Sequence, residues 1–240
     1  MPETIRDNPF EDHAHQYDQW FDEHRKSYQL ELNAVRELLP AQGRGIEVGA
    51  GTGRFIGPLG ITSGIEPVAA MRAIAAKRGL ELQQGSAENL PLESGKYDYL
   101  IFVTTLCFVD SVPQALQEAH RVLREDGILI IGMIDSTSSM GKEYKESKGD
   151  STFYKEANFY SIDEMVEMLH ITGFNHFQFR QTLLPERKAN TPSIIDGYGS
   201  GAFVVIRSHK SSSDSSRCIL LGSTLNSCSV ADQPDAKIKT

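Results

Sequence analysis

Gly45-Ile46-Glu47-Val48-Gly49-Ala50-Gly51-Thr52-Gly53-Arg54-Phe55 decides the fold. A short apolar run, Ile46 to Val48, ends in glycines at three alternate positions. Without side chains the backbone there can turn sharply and let a ligand come close. In an open α/β sheet, such a turn at the carboxyl end of the first strand is where a nucleotide-like cofactor sits. A dinucleotide fingerprint, Gly-x-Gly-x-x-Gly, would need a glycine where this chain has Arg54. The pattern is instead Glu-x-Gly-x-Gly-x-Gly, with Glu47 two residues ahead of the first glycine.

Outward from this loop, strands and helices alternate, which predicts a parallel sheet wrapped on both sides. Tyr28, Leu32, Val35 and Leu39 share one helical face before Pro40 ends the helix. Strands are expected at 44–48, 63–66, 81–84, 97–104 and 128–134, then at 175–183 and 202–207. A helix over 68–78 stops at Gly79. Ser111-Val-Pro-Gln114 and Ser161-Ile-Asp-Glu164 both have the form of capping boxes opening helices. Between strand and helix, 135–160 is a polar insertion rich in aromatic residues. The expected organisation is an N-terminal lid segment over 1–27, one domain over 28–207, and a mostly disordered tail over 208–240, where serines cluster and periodicity is lost.

The chain has 240 residues, 40% of them hydrophobic, and a net charge of -8. It lacks a basic run able to track a phosphate backbone, which argues against a nucleic-acid partner. No apolar stretch is long enough for a membrane span, and the first residues lack the basic start and apolar core of a secretion signal. Cys107, Cys218 and Cys228 show neither metal-ligand nor disulfide spacing. His13 and His15 lack an acid or cysteine partner at metal-site spacing, so surface histidines are expected there and no metal site. The expected protein is cytoplasmic and reduced. Oligomeric state is not legible.

With the loop, the acid ahead of it and the ordered strands together, the chain resembles the class I S-adenosylmethionine-dependent methyltransferases, in particular the methyltransferase type 11 group. The resemblance covers roughly residues 10–207. It implies a doubly wound, mostly parallel seven-stranded α/β sheet with helices on both faces (a Rossmann-like methyltransferase fold), and S-adenosyl-L-methionine as cofactor. Glu47, Gly49, Ala50, Gly51 and Gly53 resemble the first motif, which cradles the methionine part. Glu66, followed by Pro67, matches the acid that holds the ribose hydroxyls; a carboxylate can accept from both hydroxyls of a diol. Gly85-Ser-Ala-Glu-Asn-Leu-Pro91 resembles the loop beside adenine, implicating Ser86, Ala87 and Glu88, although the family often has aspartate at Ser86. Val103 and Thr104 end the fourth-strand motif. Tyr17-Asp-Gln-Trp-Phe21 resembles the family's lead-in, so Tyr17 and Trp20 are candidates to offer ring faces to a sulfonium, or else to staple the segment to the domain.

The implied reaction is in-line methyl transfer to a small-molecule acceptor, catalysed mainly by positioning. No residue is singled out as catalytic; Cys107 is expected to be apolar filler. Strand four ends Val-Thr-Thr-Leu, without the Asn/Asp-Pro-Pro-Tyr element of DNA amino-methyltransferases. Tyr144, Phe153, Tyr154, Phe159, Tyr160 and Tyr198 are expected to shape the acceptor pocket. The alternative is a non-catalytic S-adenosylmethionine-binding protein with a regulatory or structural role.

Overall fold

The computed structural model describes residues 8–185 and 193–211. The central strands are apolar on both faces, so the sheet must be covered twice. Along β3 (Tyr97–Val103), Leu100 and Phe102 enter one core while Tyr99, Ile101 and Val103 enter the other. β4 (Leu123–Ile134) and β7 (Phe203–Lys210) alternate in the same way, with Leu129, Ile131, Val204 and Ile206 against Ile130, Phe203 and Val205. A side-chain period of two thus sorts one run of apolar residues into two cores. The first core is covered by α5 (Val112–Val122) and α7 (Ile162–Ile171). The second is covered by α3 (Arg25–Leu38) and the turns over 51–60.

β1 (Gly45–Val48), β2 (Gly64–Ile65), β5 (Phe174–Thr182) and β6 (Ile195–Asp196) complete a seven-stranded sheet of order β2-β1-β3-β4-β7-β5-β6. The Rossmann-like methyltransferase architecture is as expected, but the sheet is mixed rather than mostly parallel. The pairs β1–β2, β1–β3 and β3–β4 are parallel, whereas β4–β7, β5–β7 and β5–β6 are antiparallel. β7 slots between β4 and β5, and no helix is described between β5 and β7 to carry a parallel crossover.

The strand expected over 81–84 is reduced to a single parallel bridge between Gln83 and Ile65. Glu81, Gln83 and Gln84 are exposed at the sheet edge, with too little apolar surface to extend the pairing. β7 runs through Lys210, three residues into the stretch expected to be tail; residues 212–240, with Cys218 and Cys228, lie outside the described residues.

The helix expected over 68–78 is α4 (Ala69–Lys77), and the 135–160 insertion contains α6 (Ser139–Ser147). Ser161 and Glu164 form the reciprocal capping box. At Ser111 only half of one forms. Its hydroxyl accepts from the Gln114 amide at 3.4 Å, but the Gln114 side chain donates to the Glu88 carbonyl instead of returning to Ser111. The Glu88 carboxylate takes the Asp110 amide at 2.8 Å and the Ser111 amide at 3.5 Å, filling the role Gln114 leaves. The N-terminal segment folds as α1 (Pro9–Asp12) and α2 (Ala14–Glu23), packed on α4 beside the carboxyl ends of β1 and β2.

Candidate active site

Chain direction across the sheet reverses between β1 and β3, so a crevice opens at their carboxyl ends. The glycine loop lies in it. The amides of Gly49 and Ala50 both donate to the Ile65 carbonyl, at 2.9 and 3.0 Å, fastening the loop to β2. All three glycines have positive φ, at +72°, +54° and +84° for Gly49, Gly51 and Gly53. Their surroundings separate them. A Cβ on Gly49 would lie 2.2 Å from the Thr105 methyl, and one on Gly53 2.4 Å from Leu80. Those two glycines serve packing. A Cβ on Gly51 would meet only the edge of the Tyr17 ring, at 3.9 Å, so Gly51 presents bare backbone to the crevice.

Glu66, just past β2, is 5% exposed. Its two carboxylate oxygens accept from the Gly51 amide at 2.8 Å and the Val68 amide at 2.9 Å. Burial pushes the carboxyl up, and these amides and the Arg72 charge oppose the shift. Two of roughly four acceptor positions remain, the number a ribose diol needs. Loop, open Gly51 and buried acid together fit S-adenosylmethionine.

The other expected contacts divide. Ala87 is buried and Ser86 half-buried beside Gly85, while Pro67 is exposed and Glu88 is engaged with the start of α5. Glu47 is 1% exposed and turned beneath the loop. Burial holds its carboxyl well above the usual carboxylate range against the Ile56 amide that donates to it, and its Oε2 has no protein partner. Val103 belongs to the core. Thr104 adopts φ +51°, rare for a non-glycine residue and often found at functional sites. Its hydroxyl donates to the Val103 carbonyl at 2.8 Å, and it neighbours the phenol of Tyr17, whose pKa burial pushes up. Tyr17 therefore lies over the glycine loop. Trp20 does not join it: its indole stacks on His24 at 4.5 Å and packs edge-on against Phe21, the stapling alternative.

Several residues that fasten the N-terminal segment to the glycine loop escaped the sequence reading. Asp18 accepts from Thr52 Oγ1 at 2.6 Å, Arg54 Nε at 2.8 Å and Arg78 Nη2 at 2.7 Å, and Asp22 pairs with Arg54 at 2.8 Å. Tyr28 donates to the Arg54 carbonyl. This latch clamps α2 onto the glycine loop. Burial opposes ionisation of Asp18, yet the hydrogen bonds from Arg54, Arg78 and Thr52 together hold it down at about 2. The available signal was Asp18 and Asp22 one helical turn apart with an arginine directly after the loop.

Beyond Tyr17 an aromatic cluster forms. Phe10 lies 4.9 Å from Phe108, Tyr17 5.6 Å from Phe153, and Tyr154 5.2 Å from Tyr144. Tyr154, Phe159 and Tyr160 line a cavity of about 30 Å³ with Thr104 and Cys107. Tyr198 lies apart, 42% exposed and bonded to Asp163. Burial pushes the Cys107 thiol up to about 12, leaving it inert. His13 and His15 are exposed, and among the described residues no group of three or more His, Cys, Asp or Glu side chains could hold a metal. No helix among them is long and apolar enough to cross a membrane.

Comparison with known proteins gives this site its chemistry. A methyltransferase domain family matches residues 46–131, from β1 through the middle of β4. A Thermotoga maritima structure, described as an S-adenosylmethionine-dependent methyltransferase and possible histamine N-methyltransferase, is 46% identical. It superposes with a TM-score of 0.80, covering 84% of this chain and 98% of that one. An uncharacterized protein of Methanocaldococcus jannaschii is 40% identical over 204 residues, 85% of this chain and 99% of its own length. A Haemonchus contortus phosphoethanolamine N-methyltransferase bound to S-adenosylhomocysteine is 13% identical, with a TM-score of 0.57 over 77% of this chain and 53% of that one; the likeness is one of fold. These matches do not favour the non-catalytic alternative. With 46% identity to that Thermotoga methyltransferase over 84% of its length and a methyltransferase domain match from β1 to β4, the chain belongs to the S-adenosylmethionine-dependent methyltransferases, and is an enzyme that uses that cofactor.

Proposed function

We propose that the acceptor is a small molecule, methylated by in-line displacement in a chamber closed by the N-terminal lid, with residues 1–27 as lid and 28–207 as the body. The observation that carries this reading is the latch. Asp18 ties α2 to both sides of the loop, and Tyr17 then covers Gly51 and reaches Thr104. A site roofed in this way suits an acceptor small enough to be enclosed and suits no polymer threaded through it. The net charge of -8 further disfavours a nucleic acid. The description of the Thermotoga relative names a small-molecule acceptor. Among the described residues Cys107 forms no disulfide, in keeping with the cytoplasmic setting we propose.

When bound, S-adenosylmethionine supplies a methyl group on a sulfonium, a leaving group that needs no acid. The chain's own task is alignment and exclusion of water. The Gly51 backbone and the Glu66 carboxylate would hold the two ends of the adenosyl-methionine unit, while Tyr17 and the aromatic wall keep solvent out. Alignment of two reactants can contribute about 7–11 kcal/mol to rate acceleration. The test is transfer from cofactor labelled in its methyl group into a cell extract separated by size. Label is expected in the low-mass fraction; label found only in protein or nucleic acid would overturn the reading.

A further inference from the structure

α5 carries Gln114, Glu118 and Arg121 on one flank, at helical spacing beside its buried stripe. All three reach the backbone of the loop that leads into β3. Gln114 Nε2 donates to the Glu88 carbonyl at 3.0 Å, and Glu118 Oε2 accepts from the Leu90 amide at 2.8 Å. Arg121 donates to the Leu90 carbonyl at 3.0 Å and to the Leu92 carbonyl at 2.7 Å. Alternate residues 88, 90 and 92 are thus paired as in a strand, except that the partners are side chains of a helix. Arg121 also donates to both oxygens of Glu118, each at 2.7 Å, and these bonds hold that carboxyl below the usual carboxylate range.

The loop carries this constraint to the cofactor crevice. Pro91 packs onto Gly85, where a Cβ would lie 2.6 Å from the proline ring and 3.1 Å from Ile65 of β2. Asn89 bridges to Ser86, its amide donating to the Ser86 carbonyl at 3.3 Å. Ala87 lies inside this turn, 7% exposed and in the same core as Leu90, and its amide donates to no described residue. A donor left over in a buried residue, where the neighbouring backbone is paired, marks a place for a ligand's acceptor. Resting on the resemblance of 85–91 to the family's adenine loop, we infer that Gln114, Glu118 and Arg121 are positioning residues for base recognition. They fix the Ala87 amide where it donates to a ring nitrogen of adenine and opposes any base that presents an N–H there.

Positioning matters here because the two kinds of contact respond differently to a small shift. A hydrogen bond weakens steeply as its angle and length depart from the optimum, whereas apolar packing is not directional. Without Arg121, two loop carbonyls and the Glu118 carboxylate lose their partner, and the backbone is free to move. Ala87 and Leu90 still anchor the loop in the core, so a base still finds an apolar seat. Loss of the ladder therefore costs selectivity for adenine more than it costs binding.

The experiment measures, by calorimetry, the binding of S-adenosylhomocysteine and S-inosylhomocysteine to the wild type, Arg121→Gln and Gln114→Ala. The two ligands differ only in the base, where inosine has N1–H in place of an acceptor and a carbonyl in place of the amine. The wild type is expected to prefer S-adenosylhomocysteine by at least about tenfold, since the wrong base sets donor against donor. Arg121→Gln should reduce that preference to less than about threefold. Gln114→Ala removes one bond at an exposed position, so it should fold and reduce the preference by about two- to threefold. A merely structural ladder would weaken both ligands equally. An unchanged ratio in Arg121→Gln, or in Gln114→Ala should the first variant fail to fold, would overturn the inference while leaving the loop beside adenine. Equal affinities in the wild type would overturn both.

Discussion

Replacing Asp18 with asparagine keeps the shape of the latch and removes its charge. In the folded protein the Asp18 carboxyl titrates near 2, against 3.8 for the ordinary group. At about 1.4 kcal/mol per pH unit this difference is worth about 2 kcal/mol. The side chain is 15% exposed, and screening trims that to about 1–2 kcal/mol. Because the folded value is depressed, the stabilisation is complete above pH 3.8 and is lost as pH falls through 2. Urea unfolding at pH 7 should therefore show Asp18→Asn less stable by about 1–2 kcal/mol, with the gap narrowing towards pH 3. If the loss falls on lid opening, the open fraction rises about 5–30-fold. Trp20, the single tryptophan, lies on α2 and would report this opening as a red shift in emission. A pH-independent gap, or wild-type stability at pH 7, would refute the electrostatic account of the latch.

Further outcomes follow from other groups. Glu66→Ala should weaken S-adenosylhomocysteine binding by at least about tenfold in calorimetry, since a buried acceptor for two hydroxyls is lost. Gly51→Val should do the same through backbone strain and a side chain placed in the crevice, while a Gly51 variant that binds normally would remove that glycine from the site. In ligand-free protein burial keeps Glu31 protonated up to about pH 8, whereas in the unfolded chain it ionises near 4.5. Stability should thus fall as pH rises across that window, by up to about 3–5 kcal/mol. Glu31→Gln should make the fall smaller, leaving the share due to Glu47 and Glu66, and parallel thermal-unfolding curves for the two proteins from pH 5 to 9 would contradict it. Native Cys107 should resist iodoacetamide at pH 8 and react only after denaturation.

The sheet was legible where strands are apolar throughout. Residues 97–103 carry enough buried side chains for two faces, so periodicity and length both point to a central strand. The edge was not. Gln83 pairs through one bridge because pairing without burial leaves little to read in composition. The mixed sheet was equally hidden, since direction is decided by how the chain travels from residue 182 to 203, and no local pattern encodes that path. At the site, Glu66 and the glycines were readable because their chemistry constrains the backbone within a short span. The latch was not, because it depends on residues brought together across long separations, Asp18 to Arg78.

One residue connects these two levels of reading. In the sequence, Arg54 serves only to exclude a dinucleotide fingerprint, standing where a glycine would be required. In the structure the same side chain binds Asp18 and Asp22, and its carbonyl accepts from Tyr28. A glycine there could make none of the side-chain bonds. The first turn after the loop would then be free to approach a pyrophosphate, and α2 would lose its clamp. The exchange is physically coherent: a cofactor with a diphosphate needs bare backbone and an exposed helix start at this position, whereas a sulfonium carrying a transferable methyl group needs a dry chamber that can be closed. The position that rules out the first ligand is thus the one that ties α2 to the loop that suits the second, through a single side chain.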